Sequence, residues 1–192
     1  METYFLPYSN LKDMRTALLL IDIQNDYFPG GKSELTGAVE ASMNARRLLD
    51  AFRLNKQPVI HVQHMSTRPG ASFFIPGTAG SEIHDNVKPA AGEITIVKHY
   101  PNSFRETTLL DKLKQLEIEQ LVVCGMMTHM CVDSTVRAAY DYGFKCILAS
   151  DACATKDLQF KDQIVDAIDV HNAFVSALSG MFAVVKCTDE LL

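Results

Sequence analysis

What the sequence lacks narrows its class before any motif is read. No C-x-x-C pair occurs among the five cysteines, Cys124, Cys131, Cys146, Cys153 and Cys187, and the odd count argues against a disulfide framework as well as a zinc knuckle. Free thiols suit a reducing cytoplasm, which is the expected compartment. No cluster of lysine and arginine is available to neutralise a run of phosphates, and with a net charge of −5 nucleic acid is not an expected partner. The longest apolar run near the start, Ala17 to Ile21, is far too short to cross a bilayer, and the opening Met1-Glu2-Thr3-Tyr4-Phe5-Leu6-Pro7 has an early acid and a proline. Neither a membrane segment nor a signal peptide is expected. Internal repeats and low-complexity stretches are missing too, and 192 residues suffice for one well-buried domain, assigned to residues 1–192.

What is present is organised around Leu121 to Arg137. An apolar run ends at Gly125, a short turn follows, and from Thr128 the apolar positions take up a helical spacing, so the segment reads as strand, turn and helix. With Thr128 as N-cap, Cys131 falls at the third helical position. Unpaired N–H groups and the positive end of the helix dipole there favour a thiolate, whereas the plain alternative is a buried structural cysteine. Earlier in the chain, Thr16 to Ile21 is apolar without alternation, as in a strand covered on both faces, and it ends at Asp22 ahead of turn-forming residues. An acid there sits where open α/β sheets place ligands, although a simple capping role would also fit.

The remaining elements follow in order. Residues 38–56 predict an amphipathic helix with Val39, Met43, Leu48, Leu49 and Phe52 on its apolar side, and residues 59–63 a second strand. Residues 64–92, with Pro69, Pro76 and Pro89, make too long a connection to be a plain linker and predict a functional or interface loop, in which Phe73-Phe74-Ile75 could line a pocket, meet a subunit or enter the core. Residues 94–97 predict a strand that delivers Lys98. A helix over about 108–116, strands at 119–124 and 144–149, a long helix over 157–181 and a last strand at 182–185 complete the pattern. This alternation predicts an α/β fold: a three-layer, doubly wound, mostly parallel sheet of six strands with helices on both faces.

Three strand ends therefore bring Asp22, Lys98 and Cys131 to one edge of the sheet. A carboxylate, an ammonium and a thiol so placed form a set suited to acyl transfer: Lys98 favours the thiolate and Asp22 moves the proton. Tyr27, Phe28, Tyr100 and Phe104, in the adjoining loops, are candidate pocket walls.

On three stretches, Leu20-Ile21-Asp22-Ile23-Gln24-Asn25-Asp26-Tyr27-Phe28, Ile96-Val97-Lys98-His99-Tyr100-Pro101-Asn102-Ser103-Phe104 and Gly125-Met126-Met127-Thr128-His129-Met130-Cys131-Val132, the chain resembles the isochorismatase-like cysteine hydrolases. That family includes nicotinamidases and N-carbamoylsarcosine amidohydrolase. The resemblance implies Asp22 as proton shuttle, Lys98 as its charged partner, Cys131 as nucleophile, a cis peptide between Met126 and Met127, and an oxyanion hole formed by the N–H groups of Met127 and Cys131. It also implies a homo-oligomer acting on a small molecule. Nicotinamidases carry an Asp-x-His metal segment after the second strand, where this chain has Val62-Gln63-His64-Met65-Ser66. The spacing of His61, His64 and His84 gives no support for a metal, and no cofactor is expected. Relatives that hydrolyse the vinyl ether of isochorismate can lack the cysteine, so Cys131 favours an amide, ureide or related acyl substrate. Isochorismate-type ether hydrolysis and a non-catalytic redox or binding role on the same fold are the alternatives.

Overall fold

A computed structural model describes residues 14–192. Strand β1 (Thr16–Ile21) is buried at five of its six positions, which explains why its sequence is continuously apolar instead of alternating. Helix α1 (Ala38–Leu54) crosses to β2 (Val59–His64), and β3 (Ile94–Lys98) follows the long loop. Helix α2 (Leu109–Gln115), β4 (Gln120–Met126), α3 (Asp133–Asp141), β5 (Lys145–Ala154), the short strands β6 (Leu158–Phe160) and β7 (Gln163–Val165), α4 (Ala167–Leu178) and β8 (Val184–Lys186) complete the order. The main sheet runs β3-β2-β1-β4-β5-β8 with every pairing parallel. This is the doubly wound architecture expected.

One apolar layer packs Leu18, Leu20 and Val122 of the sheet beneath Leu48, Leu49 and Phe52 of α1. The opposite layer sets Leu19, Ile21 and Val123 against Leu109 and Leu113 of α2, Val136 of α3 and Leu178 of α4. Each such side chain contributes roughly 1.5–3 kcal/mol by leaving water. The face of α1 differs from expectation: Val39 and Met43 are exposed, while Ala38, Ala41 and Ala45 are buried. Small residues let the helix lie close to the sheet, and an apolar count alone misplaces the stripe.

Other differences have equally local causes. No long helix runs through 157–181; β6 and β7 form an antiparallel hairpin, and the helix begins only at Ala167. Asp157 Oδ1 accepts a hydrogen bond from the Ala167 N–H at 2.8 Å, fixing that late start. Of the residues expected on the apolar face of the long helix, Ile164, Ala167, Ile168, Phe174, Val175 and Leu178, Ile164 and Ile168 are exposed while Ala167 and Leu178 are buried. Strand β5 continues to Ala154, past the expected end at 149, because a register shift between Val123 and Gly125 lets it pair with β4 a second time.

The strand order reverses between β1 and β4, which places a crevice beyond their carboxyl ends. Ile21 pairs with Gly125 there. Gly125 has φ +132°, and a Cβ at that position would lie 2.1 Å from the Ile21 carbonyl oxygen. Only glycine admits this approach of the two strands. Gly125→Ala is expected to cost about 2–4 kcal/mol, read as a fall in urea midpoint with an unchanged m-value; wild-type stability in this variant would show that the close approach is not required.

Candidate active site

Asp22 leaves the end of β1 with φ +52°, a left-handed conformation that aspartate tolerates better than most side chains. Its carboxylate is completely buried, and Oδ2 lies 2.6 Å from Nζ of Lys98, at the end of β3 and equally buried. The pair is an ion contact, and the Cys131 thiol is the other side chain that reaches the carboxylate. Lys98 Nζ also lies 3.1 Å from His64 Nδ1 and donates to the Tyr100 carbonyl at 3.1 Å. Those contacts use the three protons of the ammonium. Burial, reinforced by the Lys98 charge, lowers the pKa of His64 to about 3. The ring is therefore neutral, with Nδ1 as acceptor.

Cys131 lies on the turn after β4. The peptide between Met126 and Met127 is cis, as the resemblance implied. Residues 128–132 then form one π-helical turn, within which the Met127 carbonyl accepts from the N–H groups of Met130 and Val132. Thr128 is not a helix cap. Its hydroxyl donates to the Ala154 carbonyl at 3.2 Å and lies 3.0 Å from His171 Nδ1, tying the turn to β5 and α4. The Cys131 thiol is 4% exposed and, with Asp22 and His64, forms a set whose ligating atoms all lie within 4.8 Å of one another.

The electrostatics overturn one expectation. Burial and then the Asp22 charge push the Cys131 pKa up, and Lys98 offsets this only in part. The balance favours the neutral thiol over the thiolate. Burial also raises the Asp22 pKa against the opposing pull of Lys98, so this carboxylate is a better proton acceptor than an exposed one. Lys98 stays protonated: desolvation works against its charge, but Asp22 and Cys131 outweigh it and its pKa is raised.

Cys131 opens into a cavity of about 220 Å³ lined by Tyr27, Phe73, Phe74, Tyr100, Met127 and Met130, with His64, Ser66, Arg68, His99 and Pro101. Tyr27 and Tyr100 are pocket walls as expected; Phe28 and Phe104 are not. Phe28 stacks on His84 at 3.7 Å between ring centroids, and Phe104 packs against Tyr142 and Phe144 on the far side of β3. Of the three histidines considered for a metal, His61 is buried against Glu93 at 2.9 Å and His84 is the partner of Phe28, which leaves His64 alone beside Asp22 and Cys131.

Sequence reading passed over the residues that hold the loop above this cavity. Gln24 Nε2 donates to the carbonyls of His64 and Ser81, and its Oε1 accepts from the His64 N–H. The Asn25 amide donates to the Ala79 carbonyl, while Asp26 accepts from the N–H groups of Phe74 and Lys32. The signal is the polar run Gln24-Asn25-Asp26 just after Asp22, each member of which hydrogen-bonds to the 64–92 segment.

A parallel α/β sheet that gathers an aspartate, a lysine and a cysteine at its carboxyl edge has the architecture of the cysteine hydrolases. The Isochorismatase domain family matches residues 16–189, and the chain belongs to this family of hydrolases. It is 53% identical over 179 residues to the isochorismatase family protein YddQ of Bacillus subtilis, covering 93% of this chain and 99% of that one. A crystal structure of an isochorismatase from Pseudomonas putida superposes with a TM-score of 0.88 at 39% identity, over 93% of this chain and 90% of the other. A streptothricin hydrolase of Streptomyces noursei is 32% identical over 79% of this chain and 54% of its own length.

Two measurements check the charge assignments. In Asp22→Asn the Lys98 charge faces Sγ unopposed, so thiolate absorbance at 240 nm, corrected with Cys131→Ser, is expected at lower pH than in wild type. An upward shift would contradict the Asp22 charge as a cause of the raised thiol pKa. Lys98→Ala strands a buried carboxylate and is expected to cost about 3–5 kcal/mol. Because the folded Lys98 pKa is raised from 10.5, the pair's contribution is full below that pH and is lost as pH rises through the folded value. The deficit of Lys98→Ala in denaturant titrations should accordingly shrink at strongly alkaline pH.

Proposed function

We propose that the protein hydrolyses a small amide-type C–N bond through a thioester on Cys131. The observation that carries this reading is the clustering of the buried Cys131 thiol with the buried Asp22 carboxylate, itself in ion contact with Lys98, beside a cavity with an aromatic lining. Relatives named streptothricin hydrolase, nicotinamidase and N-carbamoylsarcosine amidase support a C–N substrate.

In the proposed sequence Asp22 takes the thiol proton as Sγ attacks the carbonyl carbon. Raised carboxylate basicity makes that transfer less uphill than it would be to an ordinary aspartate. The N–H groups of Met127 and Cys131 receive the oxyanion. As the C–N bond breaks, Asp22 returns the proton to the leaving nitrogen, and ammonia or an amine departs. Water then attacks the thioester, giving its proton to Asp22; the C–S bond breaks, the carboxylic acid leaves and Cys131 is reprotonated. Lys98 keeps Asp22 ionised between steps. It also sits among Asp22, His64 and the Tyr100 carbonyl, the donors that a cation would need, so a divalent metal would have to displace an ammonium already bound there.

Ammonia release from a panel of small amides tests the reading. Cys131→Ala and Asp22→Asn are each expected to lower kcat by about a thousandfold or more, and prior incubation with EDTA should leave the wild-type rate unchanged. Mass spectrometry after rapid acid quench should show the acyl group on the peptide containing Cys131. Undiminished turnover in Cys131→Ala would refute the thioester route.

A further inference from the structure

We infer that Arg68, at the mouth of the Cys131 cavity, forms an anion-recognising subsite, and that the substrate is a small amide carrying a carboxylate. This rests on the cavity being the substrate site of the proposed amidase. Arg15, Arg46, Arg47, Arg53, Arg105 and Arg137 each lie 2.6–3.6 Å from a carboxylate. Arg68 has no such partner among the described residues, yet it is the arginine that lines the cavity.

The surroundings reinforce its charge. No acid lines the cavity, and Asp22 behind it is already paired with Lys98. Neutral His64 adds no competing charge at the floor. Apolar aromatic walls with one unpaired guanidinium focus its potential into the opening. A guanidinium grips a carboxylate through two parallel N–H donors, and the Ser66 hydroxyl beside it in the lining supplies a further donor. The volume of about 220 Å³ admits only a small body between that anchor and Cys131. The geometry suits a flat or short-chain acid with its amide at the opposite end.

The test uses charge-matched amides: succinamate, glutaramate and 4-carbamoylbenzoate against neutral butyramide and benzamide and cationic 4-(aminomethyl)benzamide, with ammonia release followed in wild type, Arg68→Ala, Arg68→Glu and Arg68→Lys. Wild type is expected to prefer the carboxylates by about tenfold or more in kcat/KM, corresponding to one charge-assisted contact. In Arg68→Ala that preference should fall to near unity, the loss appearing in KM, and Arg68→Glu should invert it. Arg68→Lys should restore part of it, because a point charge replaces the fork. Calorimetric titration of benzoate into Cys131→Ala, with and without Arg68→Ala, gives a readout independent of turnover. Turnover of neutral and cationic amides as fast as carboxylates, unaffected by Arg68 substitution, would overturn the subsite and leave the amidase reading standing. Benzoate binding that depends on Arg68, with no ammonia from any amide, would uphold the subsite and overturn the amidase reading.

Discussion

A lysine ammonium and an aspartate carboxylate 2.6 Å apart, neither with any exposure to solvent, set the terms for everything built around them. Removing two charges from water costs several kcal/mol each, which mutual attraction repays only where geometry is fixed and the remaining polar capacity is used. Lys98 meets that condition through the Tyr100 carbonyl and a histidine held neutral by its burial. Asp22 has less: beside Lys98, its polar neighbour is the Cys131 thiol. A carboxylate tied to several strong donors would be a poor base, so the sparse hydrogen bonding of Asp22 keeps it basic.

The rest of the fold supplies the rigidity this pair requires. Asp22 and Lys98 come from strands separated in the sheet by β2, and the parallel register His64 to Lys98 brings the third member of the polar group alongside. Gly125 lets β4 approach β1 closely enough for the nucleophile turn to meet Asp22. Gln24 and Asp26 hold the long 64–92 segment by its backbone, and Gly80 packs so tightly on the Asp26 carboxylate that a Cβ would lie 2.1 Å from Oδ1. A segment with little regular structure thereby becomes a fixed wall. Its Phe74 is buried, and its Phe73 and Arg68 reach the cavity.

Much of this could be read from sequence because strand interiors and strand ends carry different chemistry. Apolar runs ending in Asp22, Lys98 and the Gly125 turn announced both the sheet and the residues at its edge. The reading faltered where spacing admits two answers. Ile164 and Ile168 fit a helical stripe, but the polar Lys161-Asp162 pair before them turns a hairpin, with Lys161 at φ +55°. Thr128 has the chemistry of a cap, yet its hydroxyl is taken by β5 and α4, and the helix it would have started begins at Asp133 after a π-helical turn. Spacing also could not separate Tyr27 and Tyr100, which face the cavity, from Phe28 and Phe104, which face His84 and Phe144. Side-chain direction at loop positions is set by tertiary packing, which one sequence does not display.

Proximity to a cation and to a helix N-terminus suggested a preformed thiolate, but burial and the nearer anion decide the balance the other way. That outcome is chemically coherent. A permanent thiolate in a buried site would be stabilised chiefly by pairing with Lys98, and Lys98 is already committed to Asp22. One ammonium neutralises one anion, so the site favours a single negative charge, held on the carboxylate and not on sulfur. In the proposed reaction that charge would pass to the substrate oxygen while the proton waits on Asp22, so that Lys98 would face one net anion throughout. The raised pKa of Asp22 and the raised pKa of Cys131 are thus two consequences of the same burial, and it is that burial which, in the proposed reaction, would let the proton move between them.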